Sequence, residues 1–128
     1  MKKYLSLALS VLAISAGTPA YSQSFYCSNK IGAISLNPAG TLTITYGYGW
    51  HYICNINGTT VTEGGYVVSN ASKELCNSYY NLFLTAKALD KKINVLHVPN
   101  SRPNPATSCE TLGSFVWPNP SISFIYMD

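Results

Sequence analysis

Charged residues are scarce in this chain of 128 residues: Asp, Glu, Lys and Arg together make up only 10% of it. The five acidic residues are scattered, and they form no recognisable catalytic motif. The G-x-S-x-G sequence that presents a nucleophilic serine is also missing. Catalysis needs a nucleophile with a base, paired carboxylates or a metal, so we expect a protein that is not an enzyme and binds no cofactor.

The chain also lacks the groups of residues that would bind nucleic acid or metal ions. Only Lys87, Lys91 and Lys92 lie near one another, and phosphate recognition needs a larger basic face. No pair of cysteines has the close spacing of zinc ligands. His51 and His97 each fall within an alternating pattern, where a histidine is usually structural. We therefore predict neither a nucleic-acid partner nor a metal site.

The N-terminal segment has the features of a secretory signal peptide. Two lysines precede an apolar run over residues 5–16, and small or helix-breaking residues follow. Small residues at positions 20 and 22 favour cleavage before Gln23, with cleavage after Ala20 as the alternative. The apolar run of about a dozen residues is shorter than the ~20 needed to span a bilayer. We expect residues 1–22 to be the signal peptide of a periplasmic or extracellular protein without a membrane span.

Four cysteines, Cys27, Cys54, Cys76 and Cys109, are an even set that favours two disulfides in an exported protein. Three pairings are possible from the sequence. We prefer Cys54 with Cys76, which joins a strand to the following helix, and Cys27 with Cys109, which ties the two ends together.

The rest of the chain, residues 23–128, reads as one β-rich domain. Alternation is clearest at Leu42, Ile44 and Tyr46, which share one face of a strand. The pattern predicts strands at 30–36, 41–46, 50–56, 93–98 and 121–126, a short hairpin arm at 59–62, and one amphipathic helix at 72–90. The order β-β-β-α-β-β is that of the OB-fold, a small Greek-key barrel; a non-barrel α+β sandwich is the alternative.

Two stretches carry a resemblance to known proteins: residues 50–55, WHYICN, and the opening residues 25–28, FYCS. With the order of elements, they resemble small exported bacterial proteins and, more distantly, the binding (B) subunits of AB5 toxins of the pertussis and subtilase-cytotoxin class. The resemblance implies an OB-fold homopentamer that recognises sialylated host glycans and delivers a separate catalytic A subunit. A serine before the first strand contacts the sugar in those relatives, and Ser28 is the position that matches it.

Aromatic residues crowd one predicted hairpin: Tyr46, Tyr48, Trp50 and Tyr52. Aromatic rings stack on the apolar faces of sugars, so we predict Tyr48 and Trp50 as ligand-binding residues beside Ser28. Alternatively, Tyr46, Trp50 and Tyr52 fill the core and leave only Tyr48 at an exposed tip. A second function also fits the sequence, that of a monomeric periplasmic or secreted module that binds or inhibits another protein. A small hydrolase is a weaker third hypothesis.

Overall fold

The computed structural model describes residues 23–47, 49–98, 106–112 and 121–128. The predicted signal peptide and Tyr48 lie outside this range. Within it the chain is mostly β with a single α-helix, as predicted. The elements are β1 (Phe25–Lys30), β2 (Ile34–Leu36), β3 (Thr41–Thr45), β4 (Trp50–Asn55), β5 (Val61–Glu63), β6 (Tyr66–Ser69), α1 (Lys73–Ala88), β7 (Lys92–Val98), a 3-10 turn (Cys109–Thr111) and β8 (Ser121–Met127).

The eight described strands form three antiparallel sheets. One has the order β1-β7-β8, the second β2-β3-β4, and the third is the β5-β6 hairpin. The first sheet joins the N-terminal strand to the last two strands of the described chain, so its pairings are long-range in sequence. This separation into three sheets leaves the OB-fold assignment a prediction.

The core lies between the inner faces of the two larger sheets and α1. Leu42, Ile44 and Tyr46 are fully buried, which confirms the face predicted from their alternation. Ile93 and Val95 of β7 belong to the same hydrophobic cluster. Burial of such side chains supplies most of the favourable free energy of folding.

The helix begins after Ser72, whose hydroxyl oxygen accepts a hydrogen bond from the Leu75 backbone N–H at 3.2 Å. This cap satisfies one of the amide groups that a helix start leaves without a partner. Toward the core the helix buries Cys76, Phe83 and Ala86. No helix among the described residues is long and apolar enough to cross a bilayer.

Two disulfides hold these elements together, and they are the pair we preferred from the sequence. Cys27 of β1 bonds Cys109 of the 3-10 turn, and Cys54 of β4 bonds Cys76 of α1. Both have a Cα–Cα distance of 5.6 Å, within the normal range for disulfides.

The strand predicted over residues 30–36 is divided between two sheets. β1 ends at Lys30 and β2 begins at Ile34, with Gly32 between them. The backbone N–H of Gly32 donates to the Thr45 carbonyl at 2.8 Å, and a Cβ at Gly32 would lie 2.6 Å from the Thr45 hydroxyl oxygen. A side chain at position 32 would therefore collide with Thr45, which favours glycine where the chain passes from one sheet to the other.

The two disulfides close loops of different length, so their removal should lower the free energy of unfolding by different amounts. We expect the Cys54→Ala/Cys76→Ala variant to lose about 3 kcal/mol of unfolding free energy and Cys27→Ala/Cys109→Ala about 4.5 kcal/mol, because the second closes the longer loop. The sequence separations are 22 and 82 residues. Urea unfolding of both variants and of the oxidised parent protein measures the difference. A larger loss for the Cys54–Cys76 deletion would contradict the loop-length argument.

Candidate functional site

The outer face of the β1-β7-β8 sheet carries an exposed group of aromatic and polar side chains. Cys27 points into the core, so its strand neighbours Tyr26 and Ser28 point outward. Ser28 lies opposite Asn94 of β7, and Asn94 lies opposite Tyr126 of β8. We call the exposed group of Tyr26, Ser28, Tyr126 and Asp128, together with Asn94, which is only 8% exposed and lies beneath them, the Ser28 face.

Two tyrosines provide the apolar part of the Ser28 face. Tyr26 is 58% exposed and Tyr126 is 40% exposed. Their ring centroids are 6.4 Å apart with an interplanar angle of 72°, an edge-to-face contact that aromatic rings favour. The pair presents a large and rigid contact surface to solvent.

Polar groups lie beside these rings. The Asn94 side-chain amide donates to an Asp128 carboxylate oxygen at 2.7 Å, which fixes the orientation of Asn94 at the centre of the face. Ser28 is exposed, so its hydroxyl can donate and accept hydrogen bonds. Lys30 and Lys92, which pair in register at one end of β1, add positive charge, although Lys30 also bonds Asp90.

The Cys27–Cys109 disulfide supports this face from behind. Cys27 is fully buried, and the Cys109 sulfur lies 3.1 Å from the backbone carbonyl oxygen of Tyr26. The bridge therefore holds the 3-10 turn against the strand that presents Tyr26 and Ser28. A covalent tie at this point restricts movement of the edge strand.

Trp50, the other described residue predicted to bind ligand, lies on a different sheet. It pairs with Thr45 in the β2-β3-β4 sheet and points away from the core, as Tyr52 does. Ser28 and Trp50 therefore occupy outer faces of separate sheets and do not form one site. Sequence reasoning missed Tyr26 and Tyr126 as partners of Ser28, because register across three strands is not encoded locally.

The alternative in which Tyr46, Trp50 and Tyr52 all fill the core holds only for Tyr46. Tyr46 is fully buried, whereas Trp50 and Tyr52 are partly exposed. A β-bulge between Leu42 and Thr43 explains the difference, since it changes the face on which the residues of β4 lie.

The two histidines lie close together in the core. His51 of β4 is 2% exposed, and His97 of β7 is fully buried. Their ring centroids lie 6.2 Å apart, and the Tyr46 hydroxyl shares a hydrogen bond with His97 Nε2. Phe25 stacks on His97 with a centroid distance of 5.4 Å. This cluster joins the two larger sheets.

Burial keeps His97 uncharged. Desolvation, and secondly the positive charge that His51 can carry, lower the pKa of His97 to about 3. Its Nδ1 is buried without a hydrogen-bond partner among the residues that the structure describes. A protonated imidazole would therefore place a second N–H donor where no described group accepts it. In the same part of the chain, no three His, Cys, Asp or Glu residues are grouped to hold a metal ion.

Comparison of the chain with protein-family models, with curated proteins and with solved structures returns no match.

The buried state of His97 predicts a loss of stability in acid. The unfolded pKa is near 6.5 and the folded value is about 3, so the stabilising contribution is complete above pH 6.5 and decreases as pH falls toward 3. The slope reaches at most about 1.4 kcal/mol per pH unit for this one group. Urea unfolding across that range should show a shallower pH dependence for His97→Gln than for the parent protein. Identical slopes would show that His97 does not carry the effect.

Proposed function

We propose that this protein is an exported glycan-binding protein and that the Ser28 face is its binding site. The observation that carries the proposal is the register that sets Ser28 beside Asn94 and Tyr126, next to the exposed ring of Tyr26. This places the serine suggested by the resemblance within an exposed aromatic surface.

The chemistry of the face suits a sugar. A pyranose ring has an apolar side that packs on tyrosine rings, and hydroxyl groups around its edge that need donors and acceptors. The exposed Ser28 hydroxyl and the Asp128 carboxylate, which the buried Asn94 amide orients, supply such groups. We propose a sialylated glycan because the resemblance implies that class of ligand. Lys92 lies near the face and can interact with its carboxylate, whereas Lys30 is paired with Asp90.

The wider proposal is that the protein is the B subunit of an AB5-type toxin. In this proposal five copies form a ring that attaches to host cells and delivers a separate catalytic A subunit. Its support is the sequence resemblance, together with two disulfides, which are typical of proteins in oxidising compartments. The proposal includes no catalytic step, and both histidines are buried.

A glycan array tests the Ser28 face. We expect Ser28→Ala to weaken binding to sialylated glycans about tenfold, which corresponds to the loss of about one hydrogen bond to a charged or strongly polar group. Tyr26→Ala should weaken binding at least as much, because it removes the more exposed ring of the pair.

Matched controls lie on other sheets. Ser35 is an exposed strand serine of β2, and Tyr66 is an exposed strand tyrosine of β6. Ser35→Ala and Tyr66→Ala should bind sialylated glycans as the parent protein does. Unchanged binding by both Ser28→Ala and Tyr26→Ala would remove the Ser28 face from the glycan site.

Light scattering of the oxidised mature protein tests the assembly. We expect a mass about five times that of one mature chain if the resemblance extends to the pentamer. If the protein is a monomer that still binds sialylated glycans, the glycan-binding proposal stands and the toxin-subunit proposal is contradicted. A monomer without glycan binding would contradict both and direct the search to a protein partner.

A further inference from the structure

The turn that follows β4 contains an asparagine–glycine pair, Asn57 and Gly58. In such a pair the backbone nitrogen of the glycine can lose its proton and attack the side-chain Cγ atom of the asparagine, because glycine carries no side chain that obstructs the approach. A C–N bond forms, the side-chain nitrogen leaves as ammonia, and a succinimide ring results. Water then opens the ring to aspartate or isoaspartate. This reaction, deamidation, needs water and no enzyme.

Asn57 is the residue of this chain most open to that chemistry. No other asparagine in the sequence is followed by glycine. Asn57 and Gly58 are both exposed, so water reaches the pair. Position 58 also requires glycine, because its φ is +79° and a Cβ atom there would lie 3.2 Å from the Lys73 backbone nitrogen at the start of α1. The fold therefore retains a reactive pair.

The backbone of the turn opposes the reaction. The Gly58 N–H donates to the Asn55 carbonyl oxygen at 2.9 Å and closes a β-turn over residues 55–58. The φ angle of Asn57 is not positive, so the turn is of type I, in which ψ at the third residue is about 0°. In this conformation the Gly58 nitrogen points away from Asn57 Cγ, and its proton is held in the hydrogen bond. The turn therefore keeps the two reacting atoms apart.

Asn55 holds the turn with its side chain as well. Its Oδ1 accepts a hydrogen bond from the Asn57 N–H at 2.8 Å, and its Nδ2 donates to the Ala39 carbonyl oxygen at 3.0 Å. The Asn57 Nδ2 donates to the same carbonyl at 3.4 Å, and the Ile56 N–H donates to the Gly40 carbonyl at 2.9 Å. Asn55 is only 5% exposed, so its polar atoms depend on these protein partners. The turn after β4 is thereby fixed to the turn between β2 and β3.

We infer that Asn57 is a deamidation site that the folded turn suppresses, and that Asn55 is the residue that maintains the suppression. When the turn opens, the Gly58 N–H loses its acceptor, and rotation at Asn57 brings the Gly58 nitrogen to Cγ. The product cannot restore the native contact, because a carboxylate donates no hydrogen bond to the Ala39 carbonyl. Deamidation therefore makes an opening of this turn irreversible. This inference does not depend on the glycan proposal.

Incubation of the oxidised protein at mildly alkaline pH, followed by peptide mass spectrometry, measures the reaction at position 57. The readout is the mass change from amide to carboxyl, together with chromatographic separation of the aspartate and isoaspartate peptides. We expect the folded protein to convert at least about tenfold more slowly than the reduced chain in urea at the same pH, because the reaction must wait for the turn to open. Equal rates in the two states, or no conversion of the unfolded chain, would overturn the inference.

Hydrogen exchange at the Gly58 amide tests the same hydrogen bond without a substitution. An opening that permits the attack also exposes this N–H to water. Its exchange in the folded protein should therefore be at least about tenfold slower than in an unstructured peptide of the same sequence. Exchange as fast as in the peptide would contradict the protective role of the turn, and this result does not depend on whether any variant folds.

Variants identify the residue that controls the rate. Asn55→Ala removes the acceptor for the Asn57 N–H and should speed conversion in the folded protein about fivefold, which corresponds to the loss of about one hydrogen bond. Asn94→Ala is the matched control, because Asn94 is 8% exposed and donates a side-chain hydrogen bond in the other large sheet. It should leave the rate at position 57 unchanged.

Asn57→Gln should show no conversion over the same period, because its longer side chain closes a ring far more slowly. Thermal unfolding of each variant establishes that it is folded at the incubation temperature. If Asn55→Ala does not speed conversion, or if Asn94→Ala speeds it as much, Asn55 does not control the reaction and the inference is wrong.

Discussion

A buried polar contact links the two larger sheets, and the side chains around it depend on that contact for their positions. The Tyr46 hydroxyl and His97 Nε2 share a hydrogen bond in the core, and His51 packs against both rings. Buried polar groups cost free energy unless they are paired, so this contact restricts how one sheet can move relative to the other. Phe25 stacks on His97 from β1 and extends the cluster to the edge of its sheet.

The outer surfaces follow from these inner contacts. Since strand residues alternate between faces, burial of Cys27 turns Tyr26 and Ser28 outward, and burial of His51 turns Trp50 and Tyr52 outward. Each sheet therefore presents aromatic rings to solvent on the side opposite the core. The two surfaces carry different charged groups, since Lys92 and Asp128 lie at the Ser28 face and Glu63 lies beside Tyr52 at the other.

Local patterns explain which parts of the fold could be predicted. The helix could be predicted because its apolar residues recur at helical spacing over several turns. The face shared by Leu42, Ile44 and Tyr46 could be predicted because polar and apolar residues alternate there without interruption. β6 was missed because two glycines, Gly64 and Gly65, separate a short strand from its partner. The outward direction of Trp50 and Tyr52 depends on a bulge in the pairing with β3, which leaves no mark in the sequence of β4.

The sequence by itself determined the β-rich class and the single helix, and it favoured one of three possible disulfide pairings, which the structure then showed. The class and the helix follow from the residue periodicity of single segments. The preferred pairing follows from the order of the cysteines along the predicted elements. Only the tertiary structure decided which side chains share a surface. Ser28 meets Asn94 and Tyr126 through the register of three strands, and Glu63 meets Tyr52 through packing of a hairpin on a separate sheet. Such contacts depend on burial and on the pairing of strands that lie far apart in the sequence. The residue pattern of one short segment does not specify either.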